Sequence, residues 1–259
     1  MIVTANNVAF DVEQTGHGRD LVLFHSLLTD RSVFDGVSPT LARRRRLTLV
    51  NLPGFGQSSP AGPRIEDYAD RVALLFSALA LPASTDLVAL SFGGFVASAL
   101  TARHGRLIGR LVLADTAAAF PEPSKAALRA MADRALAGGM TAVIDTALRR
   151  MFSEAFIAAR PELMRAVAAI LVRANPEHFA TACRALADLD LREVLRVVRH
   201  RTLVLVGALD TTTPPFLANE LAGCIDGAGY LEIPACAHCP PLERPAEFVA
   251  AIERFLDEA

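Results

Sequence analysis

Net charge is almost absent from this chain of 259 residues: 26 Lys and Arg stand against 28 Asp and Glu, a formal charge of −2. That balance supplies no basic surface of the kind that holds nucleic acid or an anionic membrane, so neither is expected as a partner. Long uncharged apolar runs are missing as well. Hydrophobic residues make up 52% of the sequence, yet charges interrupt every run before it reaches membrane-spanning length. The opening residues, Met1-Ile-Val-Thr-Ala-Asn-Asn7, lack the basic start and apolar stretch of a secretory signal. A cytoplasmic protein is the expectation.

Cysteine is scarce. Four residues make no disulfide framework. Cys236-Ala-His-Cys239 has the C-x-x-C spacing of a metal or redox site, but a zinc site needs a second ligand pair, and Cys183 and Cys224 stand far apart. The expected role is that of small apolar fillers, with no metal bound. Phosphate-binding patterns are absent too. The glycine-rich loop at 52–59 has neither Gly-Lys-Ser/Thr nor Gly-x-Gly-x-x-Gly, and no organic cofactor is implied.

What remains is an alternation of short apolar runs with amphipathic segments. Residues 8–14 alternate apolar and polar and read as a half-exposed edge strand. Apolar runs at 20–24, 47–51, 86–90, 110–115 and 202–206 read as buried parallel strands, and the sheet pattern continues at 230–233. Helices are expected around Val33 and Phe34, over 65–81, after Ser91 and over 245–256, and Arg43 to Arg46 read as a solvated end of the first of them. The fold class is therefore α/β, a mostly parallel central sheet covered by helices on both faces. Between about 119 and 200 no strand is expected. Helical periodicity runs over 126–136, 140–152, 161–173 and 178–186. Residues 1–118 and 201–259 thus form the core, and 119–200 an inserted helical cap.

Residues 87–100 organise the rest. An apolar strand breaks at Ser91, with Gly93 and Gly94 just behind it, and a helix of small and apolar residues follows. This is the pattern of a nucleophile elbow, Gly-x-Ser-x-Gly, with Ala89 in place of the first glycine. A serine hydroxyl needs a histidine to accept its proton, and the histidine needs a carboxylate to hold it. Asp210 follows the strand ending at Val206, and His238 follows the strand ending at Ile233, in the chain order that elbow enzymes use. Asp115 and Glu243 are the rival acids, Asp115 the stronger because it too ends a strand. The oxyanion donors are expected to be the backbone N–H groups of Phe92 and of Leu27, with Ser26 next to it.

These motifs, together with the loops Phe24-His-Ser-Leu-Leu-Thr-Asp30 and Asn51-Leu-Pro-Gly-Phe-Gly-Gln-Ser58, resemble the α/β-hydrolase superfamily along nearly the full chain. Within it the insertion is similar to that of 3-oxoadipate enol-lactonases and related small esterases, at Ala137-Gly-Gly-Met140, Arg150-Met-Phe-Ser153, Arg160-Pro-Glu162 and Ala187-Asp-Leu-Asp-Leu-Arg192. The resemblance implies hydrolysis of a small ester or (enol-)lactone under a helical lid. Its alternatives are hydrolysis of a carbon–carbon bond in a dicarbonyl compound on the same residues, or a slow ligand-binding sensor. A small-molecule substrate is the expected partner, and a homodimer is compatible with the sequence. Two positions depart from that group. It tends to carry a tryptophan where Met151 stands, in a chain with no tryptophan, and an arginine facing the substrate where Leu136 stands. Arg134, Arg149 and Arg150 are the candidates to substitute for that arginine, with solvated helix arginines as the leading reading. Pocket candidates are His25, Ser26, Phe95, Met151 and Phe152, with Phe55, Phe92 and Phe156 beside them.

Overall fold

Strands that are apolar throughout must be covered on both faces, and five such runs lie side by side in this molecule. The computed structural model describes residues 1–258. One sheet contains β1 (Ile2–Ala5), β2 (Val8–Gly16), β3 (Arg19–Phe24), β4 (Arg45–Val50), β5 (Thr85–Leu90), β6 (Ile108–Ala114), β7 (Thr202–Gly207) and β8 (Gly229–Ile233). Their order is β1-β2-β4-β3-β5-β6-β7-β8. β2 is antiparallel to both neighbours and every later pair is parallel. The edge strand expected over 8–14 is therefore one position inside the sheet. Its first half pairs with β1, and its second half, from Val12, pairs with β4. The four-residue β1 is too short to carry a readable alternation.

The core helices are α1 (Ser38–Leu41), α2 (Ile65–Ala78) and α3 (Phe92–His104). Between β6 and β7 the chain forms α4 (Glu122–Gly138), α5 (Ile144–Met151), α6 (Glu154–Ala159), α7 (Pro161–Val172), α8 (Pro176–Asp188) and α9 (Arg192–Leu195). After β7 come α10 (Pro215–Cys224), α11 (Pro240–Glu243) and α12 (Pro245–Asp257). No strand of the sheet lies in the insertion, where α4 packs along α8. Each buries one apolar face, Leu128, Met131, Ala132 and Ala135 on α4, and Phe179, Cys183 and Leu186 on α8. No helix among the described residues is long and apolar enough to cross a membrane.

The arginine run behaves differently from a solvated helix end. Arg45 and Arg46 are the first two residues of β4. Arg46 makes a two-pronged bond to Asp20 at 2.6 and 2.9 Å, and Arg45 is buried between Asp86 and Asp257. Asp86, with no exposed surface, also meets Arg19 at 3.1 Å and accepts the Arg110 backbone N–H at 2.9 Å. Neighbouring strands thus converge their cations on one buried carboxylate at the amino end of the sheet, opposite the end where the loops discussed below gather. Removing one member of such a cluster leaves the others buried without a counter-charge. Asp86→Ala is expected to lower unfolding free energy by about 3–5 kcal/mol in urea titrations, while the activity of each folded molecule stays as it was.

Candidate active site

Four loops meet at the carboxyl ends of β3, β5, β7 and β8, the edge where open α/β sheets bind ligands. Ser91 sits at the apex between β5 and α3, with φ 50° and ψ −111°. A non-glycine residue there is strained by about 1–3 kcal/mol, and only tight surroundings keep it so. The Ser91 N–H donates to Ala114 O at 2.8 Å, and Gly93 N–H donates to His25 O at 3.0 Å. Gly93 is required at this spot because an added Cβ would lie 2.6 Å from Phe24 Cβ and 2.7 Å from its carbonyl. Ala89 packs with no exposed surface in the strand beneath.

The Ser91 hydroxyl lies 2.8 Å from His238 Nε2, and His238 Nδ1 lies 2.7 Å from Asp210 Oδ2. Asp210 also accepts the backbone N–H groups of Thr212 and Thr213 at 2.7 and 3.1 Å, and the Thr213 hydroxyl at 2.8 Å. Burial acts to raise its pKa, but the attraction of His238 and the bonds from His238 and Thr213 outweigh it and hold the carboxyl below its ordinary value. Asp115, the rival acid, makes no bond to His238. Its Oδ1 accepts Gly207 N–H at 2.9 Å, and its buried Oδ2 has no partner. Burial, and then the charge of Asp210, push its pKa well up. Glu243, the other rival, braces the histidine loop by accepting the N–H groups of Ala237 and Cys239 at 3.0 and 3.3 Å. The thiols of Cys236 and Cys239 flank this carboxylate, and burial pushes both pKa values up, away from thiolate chemistry. Asp115, Asp210 and His238 bring their ligand atoms within 4.8 Å of one another, but both ring nitrogens of His238 are already engaged within the site.

His238 enters from β8 and must return over β7 to reach Ser91. The crossing point is Gly207. Leu209 N–H donates to Cys236 O at 2.8 Å, and a Cβ on Gly207 would sit against the carbonyls of Cys236 and Ala237. The insertion grips the same loops. Helix ends leave carbonyls without partners, and those at the end of α5 are filled from the core. Thr212 Oγ1 donates to Arg150 O at 2.7 Å, and His238 N–H donates to Met151 O at 3.1 Å.

A cavity of about 20 Å³, room for roughly one water, adjoins Ser91 and His238. From the core it is lined by Ser26, Leu27, Leu28, Phe95 and Thr212, and from the insertion by Phe120, Leu128, Met131, Arg150 and Leu186. Of the pocket candidates, Ser26 and Phe95 face it, whereas His25, Met151 and Phe152 do not. Met151 is buried and meets the site through its carbonyl, and Phe152 stacks on Phe156 at 5.5 Å. Phe92 also turns its ring away, against Tyr68. Its backbone N–H and that of Leu27 donate to no acceptor among the described residues. Phe120, Leu128, Met131 and Leu186 were missed from sequence. The i, i+3 spacing of Leu128 and Met131 marks only a buried face and not what it covers. A larger hollow of about 450 Å³ beside Asp70 and Arg103 lies at the other end of α3, where those two side chains pair with each other.

His25 serves the loops and not the cavity. Its Nδ1–H donates to Ser26 O at 2.7 Å, its Nε2 accepts Leu52 N–H at 3.0 Å, and its ring meets Phe55 edge-on at 4.8 Å. Burial lowers its pKa to about 4, against a smaller raising effect of the Ser26 bond.

With this geometry in place, comparison with known proteins assigns the class. Residues 21–251 match the alpha/beta hydrolase family, to which the chain belongs, and it is an enzyme of the α/β-hydrolase type. A pimeloyl-(acyl-carrier protein) methyl ester esterase of Aeromonas hydrophila subsp. hydrophila is 30% identical, covering 96% of this chain and 100% of its own. A 3-oxoadipate enol-lactonase of Acinetobacter baylyi is 28% identical, covering 97% of this chain and 94% of its own. The crystal structure of the enol-lactonase from Burkholderia xenovorans LB400 superposes with a TM-score of 0.93 at 29% identity, over 100% of both chains.

Two outcomes are expected from these contacts. The unfolded His25 takes up its proton near pH 6.5 and the native one only near 4, so the native state binds fewer protons between them and loses stability as pH falls through that window. Between pH 7 and pH 5 this one residue accounts for a loss of about 2 kcal/mol, and His25→Gln should flatten that part of the stability profile in urea titrations. Gly207→Ala should displace the histidine loop. Its kcat is expected to fall at least about tenfold with KM little changed, alongside about 1–3 kcal/mol of lost stability.

Proposed function

We propose that this enzyme hydrolyses a small carboxylic ester or (enol-)lactone through an acyl-enzyme on Ser91. The observation that carries the reading is the unbroken line of hydrogen bonds from Ser91 Oγ through His238 to Asp210, at 2.8 and 2.7 Å, set on a strained elbow. Ser91 Oγ attacks the carbonyl carbon while His238 Nε2 takes the hydroxyl proton. Asp210 keeps the proton of His238 on Nδ1 and offsets the charge the ring gains. The tetrahedral oxyanion is received by the N–H groups of Leu27 and Phe92, which are left without other acceptors. Collapse breaks the bond to the leaving oxygen, and His238 returns the proton to it. For a lactone that alcohol stays tethered to the acyl group. Water, deprotonated by the same histidine, then frees Ser91. The relatedness to an esterase and an enol-lactonase supports the class of bond broken.

In this reading residues 119–200 act as a cap over a core of 1–118 and 201–259. The cavity beside Ser91 holds about one water, far less than an ester needs. Substrate entry therefore requires α4, α5 and α8 to draw back from the core loops, and their return excludes water from the acyl-enzyme.

A fluorophosphonate should label Ser91, and short p-nitrophenyl esters should be cleaved. Ser91→Ala is expected to cut kcat by about 10⁴–10⁶. Asp210→Asn should cost about 10⁴ and Asp115→Asn far less. A fully active Ser91→Ala protein would overturn the mechanism, and the reverse ranking of the two aspartates would move the acid to Asp115.

A further inference from the structure

We propose that Asp115 is a positioning residue for the base: its buried carboxyl carries a proton and donates it in a hydrogen bond to Asp210, so that a single negative charge stands behind His238. The proposal rests on the hydrolase reading above and adds one residue to the groups that orient the histidine.

Asp115 sits where three supports of the site meet. The carbonyl of Ala114, just before it, receives the Ser91 N–H at 2.8 Å. Its own N–H donates to Leu205 O at 2.8 Å, and its Oδ1 accepts the Gly207 N–H at 2.9 Å, where the histidine loop crosses β7. Its backbone is held at φ 49°, a conformation that a residue with a side chain keeps only under constraint. Asp115 has no exposed surface. One ligand-type atom each from Asp115, Asp210 and His238 lie within 4.8 Å of one another.

The two aspartates share the donors around them unequally. Asp210 accepts from Thr212 N–H, from the N–H and hydroxyl of Thr213, and from His238. Asp115 accepts from Gly207 alone, and its buried Oδ2 has no donor among the described residues. The other titratable groups near it are Glu243 on α11 and the thiols of Cys236 and Cys239, while His238 is engaged by Asp210 and Ser91. None of them donates to Oδ2. A buried carboxylate oxygen without a donor is costly, whereas the same oxygen bearing a proton is itself a donor. Asp210 then becomes its acceptor. Burial and the charge of Asp210 act in this direction, and the hydrogen bond between the two carboxyls adds to them. The proton matters because charge behind His238 sets how tightly the ring holds its own proton. A second anion there would keep His238 protonated in the neutral range, unable to take the proton of Ser91. A neutral Asp115 avoids that, and its hydrogen bond fixes the Asp210 carboxylate and disperses part of its charge.

The test reads the acidic limb of the kcat/KM profile against pH, which reports the ionisation of His238. Asp115→Asn keeps the shape, the acceptor for Gly207 and a donor for Asp210, but has no proton to lose. Its limb is expected to coincide with that of the wild type, and its kcat to stay close. Were Asp115 an anion, removing its charge would instead move the limb down by about one to two pH units. Asp115→Leu removes the donor, so kcat should fall about 10–100-fold with KM little changed, and the limb should move up. A residue that served only to support the Gly207 backbone would leave the limb in place. Infrared spectra of the folded protein at neutral pH require no turnover, and should contain a protonated-carboxyl band that is missing from Asp115→Asn. A lowered limb in Asp115→Asn, an unmoved limb in Asp115→Leu, or no difference in that band would overturn the assignment. Cleavage that persists in Ser91→Ala would overturn the hydrolase reading and the positioning role with it, while the infrared band would still locate the proton.

Discussion

Everything at the working end of the sheet depends on the backbone at Ser91 being held at φ 50°. That conformation is unfavourable for a side-chain-bearing residue, so it persists only where neighbours leave no alternative. They are the carbonyls of Ala114 and His25, which accept the N–H groups of Ser91 and Gly93, and the absence of side chain at Gly93, which lets α3 close on Phe24. His25 carries the constraint outward. Its carbonyl receives Gly93 while its ring ties Ser26 to Leu52. One buried neutral histidine therefore joins the loop offering the Leu27 N–H to the elbow offering the Phe92 N–H. The spacing of those two donors is a property of packing and not of any side chain facing the substrate.

The acid and base loops are built on the same logic. Asp210 is kept ionised by four donors, Glu243 collects the amides on either side of His238, and Gly207 gives the loop room to cross β7. The insertion then enters the circuit through the two carbonyls at the end of α5, one taken by Thr212 and one by His238. The insertion and the loop that carries the imidazole are therefore joined directly by hydrogen bonds. Asp115 stands just behind this line. Two carboxylates so close in a dry interior cannot both ionise at low cost, and with four donors around Asp210 it is the Asp115 carboxyl whose pKa is pushed up.

Much of this architecture is legible in the sequence. Short apolar runs became strands, and the long segment without one became the helical insertion. Ser91, Asp210 and His238 were picked out by their places after strands, and they meet in space. Failures came where a residue's meaning depends on a distant partner. Arg45 and Arg46 looked like a solvated helix end because nothing local announces Asp86, Asp20 or Asp257. His25 looked like a pocket residue because a polar group in a functional loop can face either way, and both of its nitrogens turned to backbone. Met151 and Phe152 shared a helix end with Arg150, and only the last side chain points into the cavity.

Local pattern determined the order of strands and helices, the elbow, and the succession of Ser91, Asp210 and His238 after their strands, because each is written in neighbouring residues as periodicity, a glycine or a turn former. Tertiary structure alone decided that Asp210 rather than Asp115 bonds to His238, and that His25 holds two loops together. Those outcomes turn on which donors and acceptors are already taken by residues far away in the chain. Hydrogen-bonding capacity is used up only when the whole molecule has closed around it.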